Sequence, residues 1–405
     1  MVSEKDILFR LYRYGKVRLD YLLDRIIDLS DMIFMDVYRL PWPTAQNVVK
    51  KITRCVGDIS WLLRAFPRLS AYKLAGTEWT IIFVGEDRDL LEMRHLFFPE
   101  GVVQQELGRI ALWKLSAQTQ QWLAEGIDLV ICELGRIHPS RPKAPITFTV
   151  PIWIQQVLVI PEPWESLISG KKFATERHRL NKARRTGFNY RLSQSKADFE
   201  HFCYHMYLPY VKARHGHLAI VRRYQDQWRR WCTRGGLVLV TQHDEPVAAV
   251  LCYMANDVCF DLNRGVLEAD PQLFKLGIET MITWYAITWA RGQGAKIYNM
   301  GATRARCSNG SFNTKRRWGA QVVRPEKIYG TWTFLAQNLS PSLQARLNEL
   351  GFISEIDKKF YGILLSIDPT SITETDVHKK SSAMKRQGLD GLVVISANSK
   401  PIICG

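Results

Sequence analysis

The sequence lacks the features that identify membrane, secreted and zinc proteins most directly. It has no run of about 18 apolar residues, the length that a membrane-spanning helix needs. Its first 16 residues interrupt apolar side chains with charges, unlike a signal peptide. Its eight cysteines contain no Cys-x-x-Cys pair, which argues against a disulfide framework and a cysteine-based zinc site. Together these absences predict a cytoplasmic protein with mostly buried thiols.

Common catalytic motifs are missing too. There is no Gly-x-Ser-x-Gly elbow, so a serine nucleophile is not expected. His201 and His205 are four residues apart on a predicted helix, but the Glu of a His-Glu-x-x-His zinc motif is absent. We therefore expect no metal site and no tightly bound cofactor.

Acidic residues are in short supply. The 405 residues contain 55 Lys and Arg against 39 Asp and Glu, a formal net charge of +16. A basic protein of this kind attracts polyanions, such as phosphorylated ligands, tRNA or an anionic membrane face.

The sequence divides into four segments that differ in the pattern of their apolar and polar residues. Residues 1–72 have the three-and-four apolar spacing of helices, which predicts a helical segment packed on the body or on a second copy in a homodimer. Aromatic and basic residues interleave at 9–18, which leaves peripheral membrane contact open. Residues 73–162 alternate strand and helix patterns and predict a small α/β domain. Residues 163–365 form a third region, and 366–405 a partly disordered tail with an edge strand at its end.

The third region predicts an α+β fold with a mixed sheet flanked by helices. Two helices precede three antiparallel strands, "LVLVTQ", "PVAAVLCYM" and "VCFDLNRG", joined at Asp244-Glu245 and Asn256-Asp257 by tight turns. A long helix, "QLFKLGIETMITWYAITWARGQG", comes next. It is followed by the strand "KIYNMG", a short helix beginning at Ser311, and a last strand.

Three phrases in this region resemble the GNAT acyltransferases, and more narrowly their FemAB-like and CelD-like branch. They are "ERHRLNKARRTGFNYRLSQ", "TWARGQGAKIYNMGA" and "FNTKRRWGA", the last similar to the branch's Phe-Lys-x-x-Trp-Gly signature. Thr314, rather than Phe, precedes the lysine here. The resemblance covers about 165–335 and implies a GNAT-like sheet; residues 73–162 would then be a degenerate first GNAT half.

The resemblance implies transfer of an acyl or aminoacyl group to an amine. It selects Lys315, at the signature's lysine position, as the cation that stabilises the oxyanion. Asp261 lies on the third strand and is the candidate base, because the attacking amine must lose a proton. Strand alternation predicts Asn263 on the same face as Asp261. Asn263 and Tyr298 are candidate orienting residues.

Donor and acceptor residues follow from the remaining basic and loop positions. The turn before the long helix offers backbone N–H groups to a phosphate. Gln272 and Gly277 there match the ends of the GNAT phosphate loop, but Lys275 replaces its inner glycine. We assign donor binding to Gln272, Lys275, Gly277 and Arg317. Acceptor binding is assigned to three cations of the two basic segments, 170–187 and 304–327: Lys182, Arg185 and Arg304.

Three functions stay open at this point. The first is an N-acyltransferase that uses acyl-CoA or a similar thioester and an amine on an anionic, sugar or peptide-like acceptor. The second is a FemAB-type transferase whose donor is aminoacyl-tRNA, with binding that weakens as salt rises. The third is an inactive GNAT-like module that binds a polyanion or a partner protein.

Overall fold

The structure is a computed structural model. It describes residues 68–135, 141–169, 173–216, 219, 221, 224–325, 330–366, 373–385, 387–397 and 401–404. Almost all of the predicted N-terminal helical segment lies outside these residues, so its helices, the homodimer and the membrane contact stay predictions.

The chain divides into two compact units. The first comprises Met1–Ile152, Pro325–Gln344 and Ser396–Lys400, and the second Trp153–Arg324, Ala345–Ile395 and Pro401–Gly405. The domain boundaries drawn from the sequence remain predictions.

The first unit is built on a six-stranded sheet. Its strands are β1 (Arg68–Ala75), β2 (Thr80–Gly85), β3 (Val103–Ala111), β4 (Leu129–Leu134), β5 (Ile146–Pro151) and β13 (Thr331–Ala336). They lie in the order β3-β1-β2-β4-β13-β5, with β2 and β4 parallel and the other pairs antiparallel. The helices are α1 (Asp87–Phe97) and α2 (Leu115–Ala124). The predicted α/β texture is therefore present.

A seven-stranded sheet forms the centre of the second unit. Its strands are β6 (Trp153–Val159), β7 (Phe188–Ser193), β8 (Gly235–Gln242), β9 (Glu245–Ala255), β10 (Val258–Val266), β11 (Ile297–Arg304) and β12 (Gln321–Val323). Their order is β12-β6-β11-β10-β9-β8-β7, and only β10 and β11 are parallel. The predicted meander of β8, β9 and β10 is confirmed. Its turns hold His243, Asp244 and Asn256 at positive φ, as tight hairpin turns require.

Helices cover both faces of this sheet. They are α3 (Ala174–Arg184), α4 (Lys196–His201), a π-helical turn (Phe202–Tyr207), α5 (Leu208–His215), α6 (Tyr224–Arg234), α7 (Pro271–Leu276), α8 (Ile278–Gly292) and α9 (Gly310–Arg317). A Cβ on Gly236 would collide with the Trp289 ring of α8, and one on Gly265 with the π-helical turn. Gly236 and Gly265 pair with Cys252 and Ala249 of β9, which point to opposite faces. Hence α8 and the π-helical turn lie on opposite faces of the sheet.

A four-stranded sheet completes the second unit. It has the order β14 (Ile353–Ile356), β15 (Lys359–Leu365), β16 (Gly391–Ile395) and β17 (Ile402–Cys404), with α11 (Glu374–Lys385) packed against it and α10 (Pro341–Leu350) preceding it. The prediction that the last hydrophobic run forms an edge strand is wrong, because β16 pairs with both β15 and β17. A three-residue strand such as β17 gives too short a pattern to be recognised in the sequence.

Candidate active site

The two parallel strands β10 and β11 separate in the middle of the large sheet. They pair only at Val258↔Ile297, Cys259↔Tyr298 and Phe260↔Asn299. Beyond these pairs β10 remains bound to β9, and β11 to β6. Backbone groups along the parted edges can therefore bind an extended ligand. Asp261 is the first residue of β10 past the last pair.

A bulge in β10 determines which side chains face this opening. Asp261 pairs with Cys252 of β9, but Asn263 pairs with Leu251, so Leu262 is an extra residue. Consecutive residues of β9 point to opposite faces, and their partners must do the same. The expectation that Asp261 and Asn263 share a face is therefore wrong.

Asn263 instead points into the core on the α6 side, where its Nδ2 donates to Gln227 Oε1 at 3.0 Å. Arg264 takes the position that was expected for Asn263, because it pairs with Val250, which lies on the same face of β9 as Cys252. Arg264 donates a hydrogen bond to the Asp261 carboxylate. The bulge thus brings an arginine, rather than an asparagine, to the candidate base.

Asp261 is held by two donors. Besides Arg264, Tyr298 Oη of β11 donates to Asp261 Oδ2 at 3.0 Å, as expected of an orienting residue. Only 5% of the Asp261 side chain is exposed. Burial, and then the neighbouring Asp261 charge, raise the pKa of Tyr298 well above its usual value, so the phenol stays a donor. An aspartate already paired with a guanidinium is a weak candidate for taking a proton from an amine.

A second bulge shapes β11. Met300 and Gly301 lie opposite the single residue Gln156 of β6, and Gly301 has φ +79. The Gly301 N–H donates to Asn299 Oδ1 at 2.9 Å, which fixes the bulge. A Cβ on Gly301 would stand 3.6 Å from the Asp261 carbonyl oxygen and 3.8 Å from Lys315 Nζ. Glycine therefore leaves space where these two residues approach each other.

Lys315 is carried by α9, which begins with the Asn309 side chain accepting from the Phe312 N–H at 3.0 Å. The predicted helix is present, and Phe312 and Trp318 are buried. Gln156 Nε2 donates to the Phe312 carbonyl at 3.2 Å and ties α9 to β6. These contacts fix the helix that presents Lys315 to the opening.

The Lys315 ammonium lies on the β11 bulge. Nζ donates to the carbonyl oxygens of Gly301 at 2.9 Å and Ala302 at 3.1 Å. Burial lowers the pKa of Lys315 to about 7; the nearby Asp261 opposes this and Arg264 adds to it. A lysine has three donor positions, and the two carbonyls use two of them. The third carries a lone pair in the neutral amine and a proton in the ammonium, so it suits proton transfer.

The assigned donor residues do not form a glycine-rich loop. Gln272 and Lys275 are exposed on α7, and the Gln272 N–H donates to the Asp270 side chain at 2.8 Å. Gly277 has φ +90, and a Cβ there would stand 3.2 Å from Ala183 of α3. Its lack of a side chain thus has a local structural reason. Arg317 Nε lies 3.9 Å from Glu176 of α3. The donor role of these residues stays a prediction.

The three assigned acceptor residues differ in exposure. Lys182 and Arg185 are exposed on α3 and at its end. Arg304 is only 8% exposed, and its guanidinium stacks on Trp153 at 4.1 Å from the ring centroid. Arg304 is therefore packed inside the unit rather than displayed to an acceptor.

Residues around Arg264 were missed by the sequence reasoning. Glu279, Tyr210 and Arg214 form a hydrogen-bonded group next to it. Tyr210 and Arg214 lie on α5 and Glu279 lies on α8, and no spacing in the sequence links them to Asp261. Because Leu262 is an extra residue in β10, a rule of alternating faces does not place Arg264 on the same face as Asp261.

Residues 171–312 match the family model described as an Acetyltransferase (GNAT) domain. The chain thus contains a GNAT domain, as the three sequence phrases indicate, and this domain points to an acyltransferase. No curated protein is significantly similar to the chain. No helix among the described residues is long and apolar enough to cross a membrane.

Several solved structures are similar at low identity. FemX is 11% identical, covering 69% of this chain and 90% of its own, with a TM-score of 0.37. L-PGS from Bacillus licheniformis is 12% identical, covering 70% and 86%, with a TM-score of 0.31. A GCN5-related N-acetyltransferase from Kribbella flavida is 14% identical, covering 70% and 93%, with a TM-score of 0.26. Similarity of this strength supports no statement about substrate.

Proposed function

We propose that the protein is a cytoplasmic N-acyltransferase of the FemAB-like branch. It transfers an acyl group from a thioester such as acyl-CoA to an amine on an anionic or peptide-like acceptor. The observation that carries the proposal is the opening between β10 and β11, where Asp261, Tyr298 and Lys315 converge. An extended thioester arm enters the opening and its carbonyl carbon meets the amine beside Lys315.

Lys315 moves the proton in this mechanism. The amine nitrogen bonds to the carbonyl carbon while its proton passes to the neutral Lys315 Nζ. The resulting ammonium stands beside the oxyanion and stabilises it. The carbon–sulfur bond then breaks, its electron pair goes to sulfur, and the proton held by Lys315 passes to the thiolate. Two carbonyl contacts keep Nζ in place throughout.

Lys315→Ala tests the proposal. We expect loss of at least about a hundredfold in kcat, the scale of general acid–base catalysis, measured as thiol release from a panel of acyl-CoA thioesters and amines. Lys275→Ala is the matched control, because Lys275 is an exposed lysine of the same unit. It should change KM for the donor rather than kcat. Full turnover by Lys315→Ala would remove Lys315 from the mechanism.

A second candidate function uses aminoacyl-tRNA as donor, and the surface of α3 favours it. His178, Arg179, Lys182 and Arg185 are exposed there, while its one acidic residue, Glu176, is buried. Such a face can bind a phosphate backbone. Turnover that needs charged tRNA, and is abolished by RNase, would choose this donor over a thioester. Retained CoA in native mass spectrometry would choose the thioester.

A further inference from the structure

A row of charged side chains extends from Asp261 toward α8. The guanidinium of Arg264 donates to the Asp261 carboxylate on one side. On the other side its Nη1 donates to Thr283 Oγ1 at 3.2 Å and lies 3.6 Å from Glu279 Oε2. Only 18% of the Arg264 side chain is exposed. Arg264 therefore bridges two carboxylates, one on β10 and one on α8.

Glu279 is itself held firmly. It lies in the first turn of α8, where the helix dipole favours a negative charge. Tyr210 Oη donates to Glu279 Oε1 at 2.6 Å, and Arg214 donates to the same oxygen. The charges alternate in sign from Arg214 through Glu279 and Arg264 to Asp261. Each is thereby compensated by its neighbours, and Arg264 is fixed from the α8 side.

This arrangement bears on Lys315. A carboxylate beside a lysine favours the charged ammonium, and a guanidinium opposes it. The charged groups that act on Lys315 are Asp261 and Arg264 of β10. Tyr298 of β11 donates to Asp261, Glu279 of α8 lies 3.6 Å from Arg264, and Arg316 is the next residue of α9. With its carboxylate engaged by Arg264, Asp261 is not free to form a close ion pair with Lys315.

We propose that Arg264 is a positioning residue of this acyltransferase. Held by Glu279 and Thr283, it keeps the Asp261 carboxylate engaged and so leaves Lys315 able to accept a proton from the acceptor amine. The proposal rests on the proposed function for its catalytic meaning. The state of Lys315 can nevertheless be measured without any turnover.

The test is competitive labelling of lysines with acetic anhydride between pH 5 and pH 10, read by mass spectrometry. Arg264→Gln alone would leave the buried Asp261 carboxylate without its guanidinium and would remove one of the two cations from Glu279, which is strongly destabilising. We therefore use the double variant Arg264→Gln/Glu279→Gln, which removes one positive and one negative charge. Lys196, an exposed lysine of the same unit, is the internal reference.

In the wild type we expect half-maximal labelling of Lys315 near neutral pH. In the double variant Asp261 is free to pair with Lys315, so labelling of Lys315 at neutral pH should fall about fivefold, corresponding to a midpoint one pH unit higher. Arg264→Lys keeps the charge but cannot bridge two carboxylates, and should shift the midpoint by less.

A control removes an ion pair elsewhere in the same unit. Arg191→Gln/Asp198→Asn deletes a partly exposed pair on β7 and α4, and the Lys315 midpoint should not move. An unchanged midpoint in Arg264→Gln/Glu279→Gln would overturn the positioning role even if Lys315→Ala is inactive. A shifted midpoint together with an active Lys315→Ala would keep the positioning role and reject the proposed mechanism.

Discussion

Gly265 is the position where the packing of the second unit can be tested most severely. It follows Arg264 on β10, where the π-helical turn crosses the strand. A Cβ built there lies 2.7 Å from the Met206 carbonyl oxygen, and closer still to the carbonyl carbon of Met206 and the amide nitrogen of Tyr207. Carbon atoms in contact are normally about 3.5–4.0 Å apart. Backbone must therefore move by about 1 Å to admit a methyl group.

The cost of Gly265→Ala follows from which atoms are in the way. All three belong to main chain, so no side-chain rotation can relieve the overlap. Overpacking a core costs about 1–3 kcal/mol, and we expect the upper end, about 3 kcal/mol. The strand should shift away from the turn, which also displaces Arg264 and Asp261. Activity should therefore fall together with stability.

Hydrogen exchange of the β9 and β10 amides is the appropriate assay, because a chain of two units is not expected to unfold in one step. The control is Gly292→Ala at the end of α8, where an added Cβ meets nothing within 4 Å. Alanine in a helix is preferred over glycine by about 0.5–1 kcal/mol, so this variant should be slightly more stable. Wild-type protection of β10 in Gly265→Ala would refute the close approach of strand and turn.

Two further predictions concern the opening and the first unit. Gly301→Ala should lower kcat/KM at least about tenfold, because its methyl group fills the space beside Lys315. The control is Gly294→Ala, which is also at positive φ but has open space around it. This variant should cost only the backbone strain of about 1 kcal/mol. In the first unit, burial raises the pKa of Glu133 to about 8, and nearby carboxylates add to this. The unfolded chain therefore releases this proton at lower pH than the folded one, and stability must fall as pH rises from about 4.5 to about 8. Hydrogen exchange of β2 and β4 should show this loss of stability in the wild type and no such loss in Glu133→Gln. The exposed Glu100→Gln should keep the pH dependence of the wild type. An equally pH-dependent Glu133→Gln would contradict the assignment.

The order of elements in the second unit was predictable because local patterns specify it. Turn residues at 243–244 and 256–257 fix the meander, and apolar spacing identifies α8. The short helix carrying Lys315 follows from the three-and-four spacing of Phe312, Lys315 and Arg316. These features depend on residues that are close together in the sequence, so the period of the apolar pattern is enough to predict them.

The remaining parts of the site depend on pairings between distant segments. Strand β6 comes from upstream of the predicted third region, yet it pairs with both β11 and β12. The bulge at Leu262 changes the face of every later residue of β10, which is why Asn263 was misplaced and Arg264 missed. The rule that side chains of a strand alternate between two faces fails at an extra residue, and such a residue is recognised only from the pairing with the partner strand.

The two bulges also explain how a sheet can hold a reactive lysine. Each adds unpaired backbone at the place where β10 and β11 part: one turns Arg264 toward Asp261, and the other turns the carbonyls of Gly301 and Ala302 toward Lys315. A regular pair of strands would use those carbonyls in its own ladder and leave no partner for Nζ. Asp261 would then be the nearest acceptor, and the resulting ion pair would hold the proton on the lysine. Separation of the strands and availability of Lys315 are thus consequences of the same irregular register.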